Sequence, residues 1–238
     1  MRKRHPNDVI DAFQADARAS LSQWSVVTRS VADQPVSLRR VVSRDAFFRL
    51  AVRWELFRSD WHIAAATRDP GQLRSTMAAE VDKALSGRPG LAECRPYVHV
   101  SLPAHPSLEQ TRRLLDPAGR NISLSASSSG RNVWVQKSEA HLALPWVDKV
   151  RGLPLPDHKV VELVECLRNV IAHGSRSSLN DLNATLVAIT GREEAVFGAQ
   201  PLPTTAGVSR YLHGAVLGSA RIEHLHERLG QIADRMRL

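Results

Sequence analysis

The stretch that decides the fold is residues 47–64, which reads FFRLAVRWELFRSDWHIA. Its apolar residues recur at intervals of three and four, the period of one face of an α-helix. This stripe consists of Phe47, Leu50, Trp54, Phe57, Trp61 and Ala64. We expect the stripe to form core, although exposed aromatic side chains would instead offer a stacking surface. Ser43 can cap the start of this helix, and Asp69-Pro70-Gly71 is expected to end it.

The rest of the chain is read in the same way and predicts a mainly α fold. Helical spacing recurs over residues 8–24, 72–85, 107–115, 157–173, 179–189 and 208–236. Short β-like runs fall at residues 97–102 and 133–135, whereas residues 26–42 are ambiguous, with a strand-like alternation at 36–38. We therefore expect one domain over residues 1–238, an antiparallel helical bundle with a mixed loop and short-strand insertion. Its parts are an N-terminal helical extension (1–40), the insertion (87–156) and one long C-terminal helix (203–238), in which Gly214 and Gly218 would allow close helix packing.

Composition limits the class of protein. The chain has 238 residues and a net charge of +8, and only five of its 32 basic residues are lysines. Arginine suits phosphate recognition, but a GC-rich genome explains the bias equally well. Cys94 and Cys166 make neither a disulfide framework nor a zinc set, and His224 and His226 are spaced to point to different sides of a helix. The sequence has no apolar run long enough for a membrane span and no secretory signal, so we expect a cytoplasmic protein.

A polar trio at the end of an apolar helix is the strongest candidate for chemistry. Residues 167–174 read LRNVIAHG, and Gly174 is placed to stop the helix after His173. Asn169 and His173 share a helix face, whereas Arg168 lies about 140° away from His173 around an ideal helix. Two copies of this helix end, related by a two-fold axis, can bring both groups to one phosphodiester bond. His173 would then act as general acid or base, and Arg168 would stabilise the charge on the phosphate.

This R-N-x-x-x-H-G segment resembles the signature of HEPN domains, most closely the RiboL-PSP-HEPN-like branch. The likeness extends to the aromatic helix at 47–68 and to residues 114–122, and it covers residues 40–190. The resemblance implies a HEPN-like antiparallel helical bundle and a homodimer with metal-independent endoribonuclease activity. It implies RNA as substrate, no cofactor, and a toxin–antitoxin or phage-defence setting with an antitoxin or defence partner. Arg168, Asn169 and His173 match its catalytic motif.

Three further residues are candidates for substrate binding, namely Arg176, Glu55 and His62. Glu55 and His62 flank the aromatic stripe on its polar side, where a plain solvated face is the alternative. The whole chain also has two alternative interpretations. It can be a non-catalytic HEPN-fold module that binds RNA or a protein partner. It can also be a helical scaffold in which Arg168, Asn169 and His173 merely cap a helix end.

Overall fold

The computed structural model describes residues 4–88, 90–98, 103–126 and 132–238. Over these residues the chain is a mainly helical bundle with a two-stranded antiparallel hairpin. The helices are α1 (Pro6–Ser30), α2 (Val36–Arg68), α3 (Gly71–Ser86), α4 (Leu108–Leu115), α5 (Val133–His141), α6 (Leu144–Arg151), α7 (Leu155–His173), α8 (Arg176–Ala188), α9 (Glu194–Phe197), α10 (Gly207–His213) and α11 (Arg221–Arg235). Short 3-10 helices cover Ala92–Tyr97 and Gly191–Glu193, and the hairpin consists of β1 (Ala215–Val216) and β2 (Ser219–Ala220). Within the described residues, no helix is long and apolar enough to cross a membrane.

The aromatic stripe lies at the centre of the core, as its spacing predicts. All six of its side chains are buried. α1 runs antiparallel to α2, since Trp24 near its end donates to the Ser43 hydroxyl near the start of α2. The Phe13 ring stacks on Phe57 at 4.7 Å and meets Trp54 edge-on at 5.4 Å. Aromatic rings in these arrangements stabilise a core beyond the apolar area that they bury.

The start of α2 differs from the sequence prediction. The helix begins directly after Pro35, so the ambiguous residues 36–42 are helical and the strand-like alternation at 36–38 forms no strand. Ser43 is an interior residue of α2 rather than its cap. Its hydroxyl lies 3.2 Å from the carbonyl of Arg39 and 3.1 Å from Nδ1 of His213. The hydroxyl is satisfied by its own helix and by α10, so the helix can continue back through this position.

The insertion supplies helices and core instead of strands. Residues 133–135 form the first turn of α5, capped by the side chain of Asn132, so the predicted strand there is wrong. Trp134 meets Trp54 edge-on at 6.4 Å, and Trp146 meets Trp61 in the same manner at 6.0 Å. The other predicted strand, at 97–102, lies mostly outside the described residues, and Tyr97 ends a 3-10 helix. Residues 133–153 therefore cover a second face of α2.

The C-terminal region is interrupted where one long helix was predicted. α10 ends at Gly214. A Cβ at this position would lie 3.0 Å from Nη1 of Arg221 and 3.2 Å from the carbonyl of Arg210, so the close approach of these atoms favours glycine here. Leu217 and Gly218 have φ values of 51° and 87° and form the two-residue turn between β1 and β2, as primed hairpin turns require. Gly214 and Gly218 thus shape a hairpin and not a helix contact. The chain then turns into α11.

Ion pairs fix how the remaining helices lie. α7 runs antiparallel to α2, because Arg58 pairs with Glu165 while Glu55 pairs with Arg168. The buried carboxylate of Asp157, in the first turn of α7, pairs with Arg228 at 2.8 Å and with Arg235, both on α11. α8 folds back along α7. This arrangement presents the last two turns of α7 beside the middle of α2.

Candidate functional site

The end of α7 is a sharp, well-defined helix terminus. Gly174 adopts the left-handed conformation at φ 59°, and its amide donates to the carbonyl of Val170 at 2.9 Å. Glycine adopts this conformation without the steric cost that other residues have, which confirms Gly174 as the helix stop. Ser175 then caps α8 by accepting from the amide of Ser178 at 3.1 Å. His173 is left exposed as the last residue of α7.

Arg168 and Asn169 form a bonded pair beside α2. The Nη1 of Arg168 donates to Oδ1 of Asn169 at 3.1 Å. The Nε of Arg168 lies 3.3 Å from Oε1 of Glu55, and both of these side chains are a little more than a quarter exposed. Because two contacts hold the guanidinium, Arg168 has a defined position before any ligand binds. Glu55, which sequence reasoning selected as a candidate, therefore lies next to the motif.

A buried ion pair lies one turn of α7 below Arg168. Nη1 of Arg58 is 2.6 Å from Oε1 of Glu165, and the Arg58 side chain is 4 % exposed. The guanidinium also lies over the rings of Trp54 and Trp134, with centroid distances of 5.8 and 5.4 Å. Burial raises the pKa of Glu165, while Arg58 and the amide of Ala126 oppose that rise. The pair joins α2 to α7 directly beneath the motif.

The loop after α4 forms the third wall of the site. The Asp116 carboxylate accepts from the amides of Arg120 and Asn121 at 2.9 and 3.0 Å, and Asn121 has a left-handed φ of 70°. This turn sends the chain along α2, where the amide of Ile122 donates to the Ser59 hydroxyl at 3.2 Å. Asparagine tolerates the left-handed region better than most residues, which suits it to this turn.

The same loop is then tied to the buried ion pair. Nη1 of Arg58 donates to the carbonyl of Leu124 at 2.6 Å. The amide of Ala126 donates to both oxygens of Glu165, at 3.1 and 3.2 Å. Residues 121–126 are therefore held against both α2 and α7, and the position of the loop depends on Arg58 and Glu165.

These three walls enclose a pocket of about 280 Å³ beside the motif. Its polar side chains come from α2, α7 and the loop, and they are Glu55, Arg58, Arg120, Asn121, Ser123, Ser125, Glu165 and Asn169. Amides, hydroxyls, guanidinium groups and carboxylates together can donate to and accept from a polar ligand such as a nucleobase edge. The pocket is small for a ligand site, so it suits a single group of a larger ligand.

His173 does not share this pocket within one chain. α7 is continuous from Arg168 to His173, so the two side chains are separated by about 140° around the helix and by about 7.5 Å along it. The structure therefore brings Arg168, Asn169 and Glu55 together but leaves His173 on a different side of the helix end. Arg176, the first residue of α8, is exposed three residues beyond His173.

His62 is the one candidate that the structure removes from the site. It is fully buried, and its Nε2 lies 3.1 Å from Nδ1 of His141 on α5. Burial, and then the neighbouring His141, lowers the pKa of His62 well below its ordinary value. The expectation that His62 lies on an exposed polar face of α2 is wrong, because α5 packs over this position. His62 therefore cannot contact an RNA bound at the surface.

Six polar residues of the pocket were missed from the sequence, namely Arg58, Glu165, Arg120, Asn121, Ser123 and Ser125. A signal existed for the first pair, because Arg58 falls directly after a stripe residue and Glu165 lies one turn before Arg168 on the motif helix. Arg120 and Asn121 fall in the segment 114–122, which was singled out for its likeness and not for any chemistry. Among the described residues, no group of three or more His, Cys, Asp or Glu side chains is placed to hold a metal ion.

The chain was also compared with known proteins. Neither protein-family models, nor curated proteins, nor solved structures match it.

Proposed function

We propose that this protein is a metal-independent endoribonuclease of the HEPN type that acts as a homodimer in a toxin–antitoxin or phage-defence setting. One observation carries the proposal. Arg168 and Asn169 are bonded to each other beside a polar pocket, little more than one helical turn before an exposed His173 at a glycine-stopped helix end. The imidazole can transfer protons, the guanidinium can stabilise charge on a phosphate, and the amide can hold the guanidinium, which together suit cleavage of an RNA phosphodiester.

The chemistry uses the ribose 2′-hydroxyl as nucleophile. His173 takes the proton from this hydroxyl, whose oxygen attacks phosphorus while the bond to the 5′-oxygen breaks. A proton returned by an imidazolium to the leaving 5′-oxygen gives a 2′,3′-cyclic phosphate and a 5′-hydroxyl end. Arg168 stabilises the negative charge on the phosphoryl oxygens, and Asn169 fixes the arginine by accepting a hydrogen bond from its Nη1.

Two copies of the chain are needed for this reaction. In one copy, Arg168 and His173 lie on different sides of α7, so one helix end cannot direct both at the same phosphate. Two copies that meet at this helix end would place His173 of one copy opposite Arg168 of the other. The exposure of His173, Gly174, Ser175 and Arg176 leaves this end of the chain accessible to a second copy.

The test is cleavage of a fluorescent single-stranded RNA by the full chain in excess EDTA. We expect cleavage to persist in EDTA and to fall about 10²- to 10⁴-fold in His173→Ala, and by a similar factor in Arg168→Ala. Arg18→Ala, an exposed arginine on α1, is the matched control and is expected to cleave normally. Loss of cleavage in EDTA, or normal cleavage by both folded motif variants, would contradict the proposal.

A second candidate function is a non-catalytic module that binds RNA or a protein partner. The ion pair between Glu55 and Arg168 favours it, because the carboxylate neutralises the arginine that must bind phosphate. The same assay separates the two candidates when RNA binding is measured in parallel. A wild-type chain that binds the RNA but leaves it intact would support the module, whereas cleavage that depends on His173 supports the enzyme.

A further inference from the structure

A second pocket, on the opposite half of α2, differs in charge from the pocket beside the motif. It has a volume of about 470 Å³ and lies between the N-terminal part of α2, α10, the start of α11 and residues 199–206. Its charged residues are Arg40, Arg210 and Arg221. We call it the arginine pocket.

The arginine pocket has no counter-charge of its own. Within the described part of the chain, no carboxylate lies within 4 Å of Arg40, Arg210 or Arg221 and none lines the pocket. Three other pockets on the molecule each include at least one carboxylate, such as Glu55, Asp45 or Glu227. Three cations around one concave, partly dehydrated space repel one another, and a bound anion would relieve that repulsion.

One of the three guanidinium groups is already held in place, and another has an unsatisfied donor. Arg221 donates from Nε to the carbonyl of Val196 at 3.0 Å and from Nη1 to the carbonyl of Tyr211 at 3.3 Å, and it lies 4.6 Å from the centroid of the Tyr211 ring. The Nε of Arg40 is buried and lacks a hydrogen-bond partner among the described residues. A fixed guanidinium and an unsatisfied buried donor favour an anion that accepts several hydrogen bonds.

Arg40 and its neighbour Arg39 also lie near an imidazole, that of His213. Burial lowers the pKa of His213, the last residue of α10, and Arg39 and Arg40 lower it further. The imidazole lies 3.1 Å from the Ser43 hydroxyl, so it is fixed close to the N-terminal part of α2. The imidazole of His213 is therefore disfavoured as a cation at this edge of the arginine pocket, and it adds no positive charge there.

The other wall of the arginine pocket is apolar. It consists of Ala199, Leu202, Pro203 and Ala206, and the volume exceeds what an isolated inorganic ion needs. We propose that the arginine pocket binds a small phosphorylated molecule with an apolar ring, of the nucleoside diphosphate class. The phosphates contact Arg40, Arg210 and Arg221, and the ring packs on the apolar wall. This site is separate from the motif at the end of α7 and does not depend on the proposed nuclease activity.

The test is isothermal titration of the full chain with ADP in EDTA, with adenosine and sodium sulfate as comparison ligands. We expect ADP to bind, adenosine and sulfate not to bind at the same concentration, and affinity to fall about tenfold or more in Arg40→Gln and in Arg210→Gln. Arg210 is exposed, so its replacement leaves the fold intact. Arg18→Gln, an exposed arginine on α1, is the matched control and is expected to bind ADP as the wild type does.

Several outcomes would overturn the proposal. They are the absence of ADP binding at millimolar concentration, equal binding of ADP and sulfate, and unchanged affinity in both arginine variants. A single-stranded RNA that loses affinity in the same two variants, and that ADP does not displace, would assign the arginine pocket to an RNA backbone instead.

Discussion

Two groups of arginine side chains on α2 and its neighbours differ in their counter-charges. Beside the motif, Arg58 pairs with Glu165 and Arg168 pairs with Glu55. In the arginine pocket, Arg40, Arg210 and Arg221 lie together without a carboxylate among the pocket-lining residues. The positive charge of the arginines is therefore compensated at the motif but not in the arginine pocket. Carboxylates position the arginines at the motif, whereas the arginine pocket retains a positive charge that can attract an anion.

The largest expected effect comes from breaking the buried ion pair between Arg58 and Glu165 beside the motif. Arg58→Met leaves the Glu165 carboxylate buried without its partner, so we expect the free energy of unfolding to fall by about 3–5 kcal/mol. Urea denaturation measures this loss. The matched control is Arg53→Met on the same helix, where an exposed pair with Asp16 is worth about 0–1 kcal/mol. Equal losses in both variants would mean that Arg58 does not stabilise this site as described.

A smaller effect is expected when Arg168 is released from Glu55. Glu55→Gln removes the charge that holds the guanidinium but keeps the shape, so we expect kcat for RNA cleavage to fall severalfold while KM stays equal or decreases. The pair is partly exposed, so stability should change by less than about 1 kcal/mol. Glu80→Gln, an exposed residue of α3, serves as the control. A rise in KM with unchanged kcat would show that Glu55 binds substrate and does not position Arg168.

The smallest expected effect is a shift in the pKa of His213, which lies close to Arg40 of the arginine pocket. Because Arg39 and Arg40 disfavour the imidazolium of His213, Arg39→Gln should raise the pKa of His213 toward its ordinary value. NMR titration of the His213 ring proton measures the shift, with Arg18→Gln as the control. Because the pKa of His213 is lower in the folded protein than its ordinary 6.5, His213 contributes stability above about pH 6.5 that is lost as the pH falls. Arg39→Gln should therefore make the free energy of unfolding less sensitive to acid. An unchanged or lower pKa would contradict the positive field.

Periodicity predicted the parts of the fold that depend on one long helix face. The stripe from Phe47 to Ala64 is buried as expected, and Gly174 stops α7 because its left-handed φ suits glycine. Short alternating runs were less informative. Residues 133–135 are helical, and Trp134 packs on Trp54. This contact joins residues far apart in sequence, so the local spacing of apolar residues does not reveal it.

The candidate site was predicted in part for the same reason. Arg168, Asn169 and Glu55 meet because α7 runs antiparallel to α2, and the motif spacing identified the side chains without showing that pairing. His62 was misplaced because α5 covers a face of α2 that is polar in sequence. The pairing of Arg58 with Glu165 was missed because the two residues lie 107 positions apart and no local pattern relates them.

The most direct test of the central claim mixes two inactive variants. Arg168→Ala and His173→Ala chains are refolded together, and RNA cleavage is measured in EDTA against each variant alone and the wild type. We expect the mixture to regain part of the wild-type activity, because a mixed dimer holds an intact His173 on one copy and an intact Arg168 on the other. A mixture that forms dimers yet stays as inactive as its separate components would contradict a cleft built from two helix ends.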